Sequence, residues 1–241
     1  MDKKLISAAI FLGVLGLTVY ADVLPDWFLP LREAIYEQKL TADEVVPLYR
    51  EAKRRAEESR SGEARYLMLS RCEYMLGRVY LYEKRKDEAL ARFEEGMSLA
   101  RLSLDEAASP EGWVMLAENL SQACSIQSVG YVMRNGLHVE RYAKNALDLD
   151  PGNTAAQILI ASRWVYAPAP FNNLKRGIQM MEDILNNFEA RLQKDDRFNV
   201  CSAIGYAYLQ QKKSQEAKTW FQRALMVYPA NQYIQGLLGN T

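Results

Sequence analysis

Apolar residues recur along most of this chain at the spacing of one face of an α-helix. Between residues 45 and 56, Val45, Leu48, Tyr49 and Ala52 share such a face, and charged residues occupy the others. Spacing of three and four residues is typical of amphipathic helices, whereas the strict alternation of a half-buried strand is nearly absent. The pattern predicts an all-α protein.

Helix start and stop signals place several of these helices. Residues 41–44 read Thr-Ala-Asp-Glu, the spacing of a capping box, in which side chains at both ends bond to backbone N–H groups. A Ser-Pro pair at 109–110 predicts another start. From there we expect one long helix over residues 110–134, because Asn-Gly at 135–136 is typical of a helix end. A short amphipathic helix is expected over residues 25–39.

A pattern of small, aromatic and proline residues lies between residues 198 and 231 and recurs earlier in the chain. It consists of Ile204, Gly205, Tyr208, Ala217, Phe221, Ala224 and Pro229. The same offsets recur at Leu76, Gly77, Tyr80, Ala89 and Phe93. The small residues fit where two antiparallel helices approach within about 8 to 10 Å, and a proline ends the second helix.

This pattern resembles the tetratricopeptide repeat, in which a Leu-Gly pair, Tyr, Ala, Phe and Pro have the same offsets. The resemblance implies a tetratricopeptide-type α-solenoid, a right-handed superhelix of antiparallel helix hairpins with a concave face. After a divergent hairpin over residues 22–60, we expect a repeat array over 61–241 that ends in a short capping helix. Its units are expected near residues 70–103, 120–153, 154–187 and 198–231.

The first 21 residues have the pattern of a signal peptide. Two lysines precede an apolar run over residues 5–19, and residues 19–21 place small side chains where a signal peptidase acts. We expect cleavage before Asp22 and a periplasmic or secreted bacterial protein. The alternative is an uncleaved anchor that holds the protein at the inner membrane, facing the periplasm. Membrane contact is expected only through this segment.

Composition and charge argue against several kinds of chemistry. Thirty basic residues balance thirty acidic ones, so nucleic acid is not an expected partner. Cys72, Cys124 and Cys201 form no C-x-x-C pair, and His138 is the only histidine, so we expect neither a metal site nor a cofactor. We therefore expect a non-enzymatic protein, and a hydrolytic enzyme is the least favoured alternative.

A binding function has more support, because the resemblance implies that the first helix of each hairpin lines the concave face. Counting from the expected units gives tyrosine and arginine candidates, the types enriched at protein-binding hot spots. They are Arg71, Tyr74, Arg78, Tyr82, Tyr131, Tyr166 and Tyr206. The same count places Ser121 on this face. Packing between repeats is the alternative role of the tyrosines, and Arg71 and Arg78 are candidates to receive an acidic group.

The leading hypothesis is a protein-protein interaction scaffold in the bacterial cell envelope. The expected partner is a protein or peptide in the concave groove, for example an envelope or transporter component. The alternative is an accessory subunit of a transporter that handles a small ligand, with a pocket near residues 164–171. An open groove favours the scaffold, and a closed apolar pocket favours the ligand-handling subunit.

Overall fold

A computed structural model of the protein describes residues 24–59 and 61–239, and the regular secondary structure of these residues is helical. The predicted signal or anchor segment, residues 1–21, lies outside the described residues. The helices are α1 (Leu29–Glu37), α2 (Ala42–Glu57), α3 (Gly62–Tyr82), α4 (Lys86–Glu106), α5 (Pro110–Ile126), α6 (Val129–Leu149), α7 (Thr154–Tyr166), α8 (Leu174–Asn187), α9 (Lys194–Gln210), α10 (Ser214–Val227) and α11 (Gln232–Gly239). No helix of the described ranges is both long and apolar enough to cross a membrane.

The helices pack as successive antiparallel hairpins, α3 with α4, α5 with α6, α7 with α8 and α9 with α10. The first helices, α3, α5, α7 and α9, also pack against one another, more extensively than the second helices do. We call the surface that these first helices form the inner face. The expected all-α solenoid of helix hairpins is confirmed.

Two glycines mark equivalent close contacts in the first and last hairpins. A Cβ atom at Gly77 would lie 2.5 Å from the ring of Phe93, and one at Gly205 would lie 2.6 Å from the ring of Phe221. Both rings are fully buried. The prediction that small residues at these positions allow the two helices of a hairpin to meet is therefore confirmed.

Two of the predicted helix starts are confirmed by their capping hydrogen bonds. The Thr41 hydroxyl accepts a hydrogen bond from the Glu44 backbone N–H at 3.4 Å, and the Glu44 carboxylate accepts one from the Thr41 N–H at 2.8 Å. The Ser109 hydroxyl accepts a hydrogen bond from the Gly112 N–H at 3.2 Å.

The prediction of one long helix over residues 110–134 is wrong. The chain breaks at Gln127, and Ser128 caps a new helix, α6, by accepting a hydrogen bond from the Tyr131 N–H. Helix α6 then runs through the Asn-Gly pair, where the Asn135 side chain donates to the Tyr131 carbonyl at 3.0 Å. Packing of α6 along α5 outweighs the weak stop signal of Asn-Gly. This hairpin therefore spans residues 110–149 instead of starting near residue 120.

Helix α1 connects the first hairpin to the last. The Tyr36 ring stacks on Tyr228 with centroids 4.8 Å apart and meets the edge of Phe198 at 5.6 Å. The Asn231 side chain donates to the Tyr36 carbonyl at 2.6 Å. As a result, one hydrophobic cluster contains residues of both the first and the last hairpin. The short amphipathic helix was expected, but its position across the inner face was not.

Candidate binding surface on the inner face

Helix α1 divides the inner face into two parts. On one side lies a group of partly exposed tyrosines, Tyr82, Tyr166, Tyr206 and Tyr233, which we call the tyrosine cluster. On the other side lies a partly enclosed polar space among α1, α3, α5, α9 and the start of α7, which we call the central cavity.

The tyrosine cluster gathers side chains from four helices. The rings of Tyr166 and Tyr206 lie 5.3 Å apart between centroids. Surrounding protein raises the pKa of Tyr166, with Tyr233 and Tyr206 adding to the effect, and the pKa of Tyr233 is raised in the same way, with Tyr206 and Tyr82 contributing. Yet Tyr166 is 53% exposed and Tyr233 is 54% exposed. Rings that are open to solvent but surrounded by protein line a concave surface.

Arg78 lies between the tyrosine cluster and α1. Its guanidinium carbon is 4.6 Å from the ring centre of Tyr36 and 5.7 Å from those of Tyr74 and Tyr82. It donates hydrogen bonds of 2.5 and 3.2 Å to the Tyr82 hydroxyl. Burial lowers the pKa of Arg78, but Tyr82, Tyr36 and Tyr74 raise it well above its ordinary value. Within the described ranges no carboxylate forms an ion pair with Arg78.

The structure brings together only some of the residues that the sequence suggested. Tyr82, Tyr166 and Tyr206 meet in the tyrosine cluster, and Arg78 lies beside them. Tyr74 is buried, 8% exposed, and packs against Phe93, as the packing alternative expected. Arg71 lines the central cavity on the other side of α1.

Tyr131 does not lie with the tyrosine cluster, which corrects its assignment to the concave face. It lies in the first turn of α6, which is the second helix of its hairpin. Burial raises the pKa of Tyr131, and the nearby Cys124 of α5 adds to the rise. The assignment failed because it assumed a unit that starts near residue 120. Helix α5 starts at residue 110, earlier than the expected unit. The residues of α5 that line the central cavity are therefore earlier than Ser121, and they include Val114 and Glu118.

The central cavity has a volume of about 140 Å³ and is lined by both signs of charge. Its charged residues are Arg71, Glu111, Glu118, Asp150, Arg191, Asp195 and Asp196. Most of the carboxylates have direct partners. Arg191 lies 2.5 Å from Asp150, the Tyr228 hydroxyl donates to Asp195 at 2.6 Å, and the Thr154 hydroxyl donates to Asp196 at 2.5 Å.

Glu118 differs from the other carboxylates of the cavity. In the part of the chain that the structure describes, no hydrogen bond or ion pair reaches its side chain. Burial raises the pKa of Glu118 to about 7, although Arg78 and Arg71 act in the opposite direction. Sequence analysis missed this residue. The available signal was that Glu118 is the only charged residue between positions 112 and 124.

Tyr36 and Tyr233 were not predicted as site residues either, because neither lies in a recognisable repeat.

In the described ranges, no group of three or more His, Cys, Asp or Glu residues is placed to hold a metal ion. His138 stacks against Tyr142 on α6, with ring centroids 6.0 Å apart.

Comparison with known proteins adds two findings. The sequence model of the tetratricopeptide repeat matches residues 198–231. The crystal structure of YrrB, described as a TPR protein with an unusual peptide-binding site, aligns with 92% of this chain and 93% of that chain, at 12% identity and a TM-score of 0.42. No curated protein matches the sequence significantly.

Proposed function

We propose that the protein, in which residues 198–231 match the tetratricopeptide repeat model, is a non-enzymatic scaffold that binds a segment of a partner protein. The tyrosine cluster is the proposed site. Arg78 is proposed to receive an acidic residue of the bound segment.

The observation that carries this proposal is the exposure of the tyrosine cluster on a concave surface. Its rings come from α3, α7, α9 and α11, which are separated by up to about 150 positions in the sequence. Tyrosine supplies a large contact area, a polar hydroxyl and only a small loss of conformational entropy on binding. Aromatic residues and arginine are also enriched at binding hot spots. A solvent-exposed cluster of this kind supports protein binding better than it supports packing alone.

A scaffold without catalysis is supported by the kinds of side chain that meet on the inner face. The only histidine, His138, lies on α6 against Tyr142 and lines neither the tyrosine cluster nor the central cavity. The buried Cys72 thiol has a pKa raised to about 12, mainly by burial, so it is not an activated nucleophile.

We also propose that the protein is exported to a bacterial envelope, where the partner would be an envelope or transporter component. The support is the signal-like pattern of residues 1–21. N-terminal sequencing of protein purified from fractionated cells tests it. A mature terminus at Asp22 in the periplasmic fraction is expected. Recovery of peptides from residues 5–19 in the membrane fraction supports the uncleaved anchor, and a cytoplasmic protein contradicts both.

Site-specific photo-crosslinking in the native cell tests the binding site. A benzoylphenylalanine at Tyr166, in the tyrosine cluster, is expected to form an adduct with a specific partner protein. The same group at Met226, which is 82% exposed on the second helix of the last hairpin, serves as a control with no less access to solvent than Tyr166. If Met226 captures the same partner and Tyr166 does not, the partner binds the outer surface and the proposed site is wrong.

The second candidate function is the transporter subunit that handles a small ligand. The central cavity supports it, because a partly enclosed space in the middle of the molecule suits a small ligand. Charged side chains line this cavity beside apolar ones, however, and none of residues 164–171 lines it, so it is not the apolar pocket that was expected at that segment.

A further inference from the structure

We propose that the central cavity binds a small organic cation, a primary ammonium or a guanidinium, and that Glu118 is the anion that pairs with it. This site is separate from the tyrosine cluster, and the proposal does not depend on partner binding there.

The charges around the cavity do not balance. Five carboxylates line it, against two arginines in the lining. Two more arginines lie at its edge, Arg32 at 3.6 Å from Asp195 and Arg78 close enough to act on Glu118. One carboxylate therefore remains uncompensated among the described residues.

The uncompensated carboxylate is Glu118. Asp150 forms an ion pair with Arg191. Asp195 forms one with Arg32 and accepts a hydrogen bond from the Tyr228 hydroxyl. The backbone N–H of Gln193 and the Thr154 hydroxyl donate to Asp196, and Glu111 has an interaction within the protein. Glu118 is half-buried, faces the cavity and has no direct partner in the described ranges. A carboxylate in such a partly enclosed space takes up a proton or pairs with a cation.

The volume and the lining of the cavity indicate the kind of cation. A volume of about 140 Å³ is roughly ten times the space that one water molecule needs, which suits a ligand of about ten non-hydrogen atoms. The rings of Tyr36 and Tyr74 line the same cavity and offer apolar surface for the organic part of the ligand. The carboxylates of the described residues, in contrast, are not grouped as metal ligands.

The proposal predicts competition between the cation and a proton. The groups that act on Glu118 are Arg71 and Arg78 on α3, which favour its charged form, and Asp195 and Asp196 on α9, which oppose it. Tyr36 and Tyr74 lie nearby, with pKa values raised mainly by burial, and stay neutral between pH 6 and 8. With a pKa of about 7 for Glu118, binding should be about tenfold weaker at pH 6 than at pH 8.

Isothermal titration calorimetry on the full chain tests the proposal, with butylammonium and butylguanidinium as cationic probes. Butyrate and butanol are controls of similar size with negative and zero charge. We expect at least one cationic probe to bind at pH 8, the controls not to bind, and the affinity to fall about tenfold at pH 6. N-acetyl-lysinamide, as a further probe, distinguishes a lysine side chain of a partner from a free amine, and either source supports the cation site.

Two variants sharpen the test. Glu118→Gln keeps the shape of the side chain and should weaken cation binding at least tenfold and abolish its pH dependence. Glu111→Gln removes a carboxylate from the same helix and the same cavity and should change the affinity less than threefold. Circular dichroism verifies that both variants fold. Any one of three results would overturn the proposal. Butanol could bind as tightly as the cations, neither cation could bind at 50 mM, or the cations could bind Glu118→Gln as tightly as the parent.

Discussion

At the scale of single residues, glycine decides how closely the helices of a hairpin approach. Gly77 and Gly205 have no Cβ atom, and this allows the rings of Phe93 and Phe221 to lie against the neighbouring backbone. Not every helical glycine has such a role. A Cβ atom added at Gly136 on α6 would lie 3.6 Å from its nearest neighbour, a side-chain carbon of Val132. This distance is an ordinary van der Waals contact.

Gly205→Ala is therefore expected to destabilise the protein, although alanine normally favours a helix. The added methyl group would lie 2.6 Å from a fully buried ring, and overpacking of this kind costs about 1 to 3 kcal/mol. Gly136→Ala should instead stabilise the protein by about 0.5 to 1 kcal/mol. Urea denaturation measures both. A Gly205→Ala variant as stable as the parent would contradict the close helix contact.

Glu118 sets a second expectation at this scale, for the pH dependence of stability without ligand. Its pKa is about 7 in the folded protein, against an ordinary value of 4.5, so the folded state binds the proton more tightly than the unfolded state. Its contribution to stability is therefore lost as the pH rises from about 4.5 to 7, by about 3 kcal/mol. Denaturation curves should show Glu118→Gln more stable than the parent by about that amount at pH 8. At pH 4 the two should be equal, and a constant difference across this range would contradict the burial of the carboxyl group.

At the scale of elements, α1 determines whether the two ends of the solenoid are held together. Besides the Tyr36 contacts, Lys194 lies 2.5 Å from Glu33, and Gln38 accepts a hydrogen bond from the Tyr233 N–H at 3.0 Å. The exposed ion pair adds little. The buried ring of Tyr36, stacked on Tyr228, provides most of the stabilisation in this contact.

Tyr36→Ala should therefore loosen the last hairpin as well as the first. Removing a buried aromatic ring costs about 3 kcal/mol or more, and hydrogen exchange should become faster in α10 and α11 while α5 and α6 keep their relative protection. Tyr233→Ala, which removes an exposed ring from α11, should change stability by less than about 0.5 kcal/mol. Unchanged exchange in α10 and α11 of the Tyr36 variant would show that α1 does not hold the last hairpin.

At the scale of the whole molecule, the inner and outer faces differ in what their exposed side chains already contact. On α2, Arg54 and Arg55 pair with Glu51 and Glu58 in an exposed network, so this basic stretch is neutralised on its own helix. Among residues 24–59 and 61–239, the tyrosine cluster has no comparable set of side-chain partners beyond its own rings and Arg78. This contrast is the basis for assigning partner binding to the inner face.

Replacement of Tyr166 and Tyr233 by Ala should weaken binding of the partner captured at residue 166. Truncation of a hot-spot residue costs about 2 kcal/mol, or about 30-fold in Kd. Calorimetry with the purified partner measures the change, and the helical circular dichroism signal should stay the same because both rings are exposed. Arg54→Ala with Arg55→Ala is the outer-face control and should leave Kd unchanged. A larger loss in that control would locate the partner on the outer face.

The sequence alone determined the all-α class, the helix hairpins and the close contacts at Gly77 and Gly205. These depend on helical periodicity and on spacings within one hairpin, which are local properties. It also placed Tyr82, Tyr166 and Tyr206 on first helices, because α3, α7 and α9 extend to these positions, whereas α5 ends at Ile126, before Tyr131.

Tertiary structure decided the rest. Whether the chain breaks at Ser128 or at Asn135 depends on how α5 and α6 pack, because both sites carry weak stop signals, and that choice moved Glu118 to the central cavity and Tyr131 to a second helix. The position of α1 depends on contacts between residues about 195 positions apart, such as Asn231 with Tyr36. A linear pattern cannot encode such a contact in a recognisable spacing, since the separation is set by the number and curvature of the intervening hairpins.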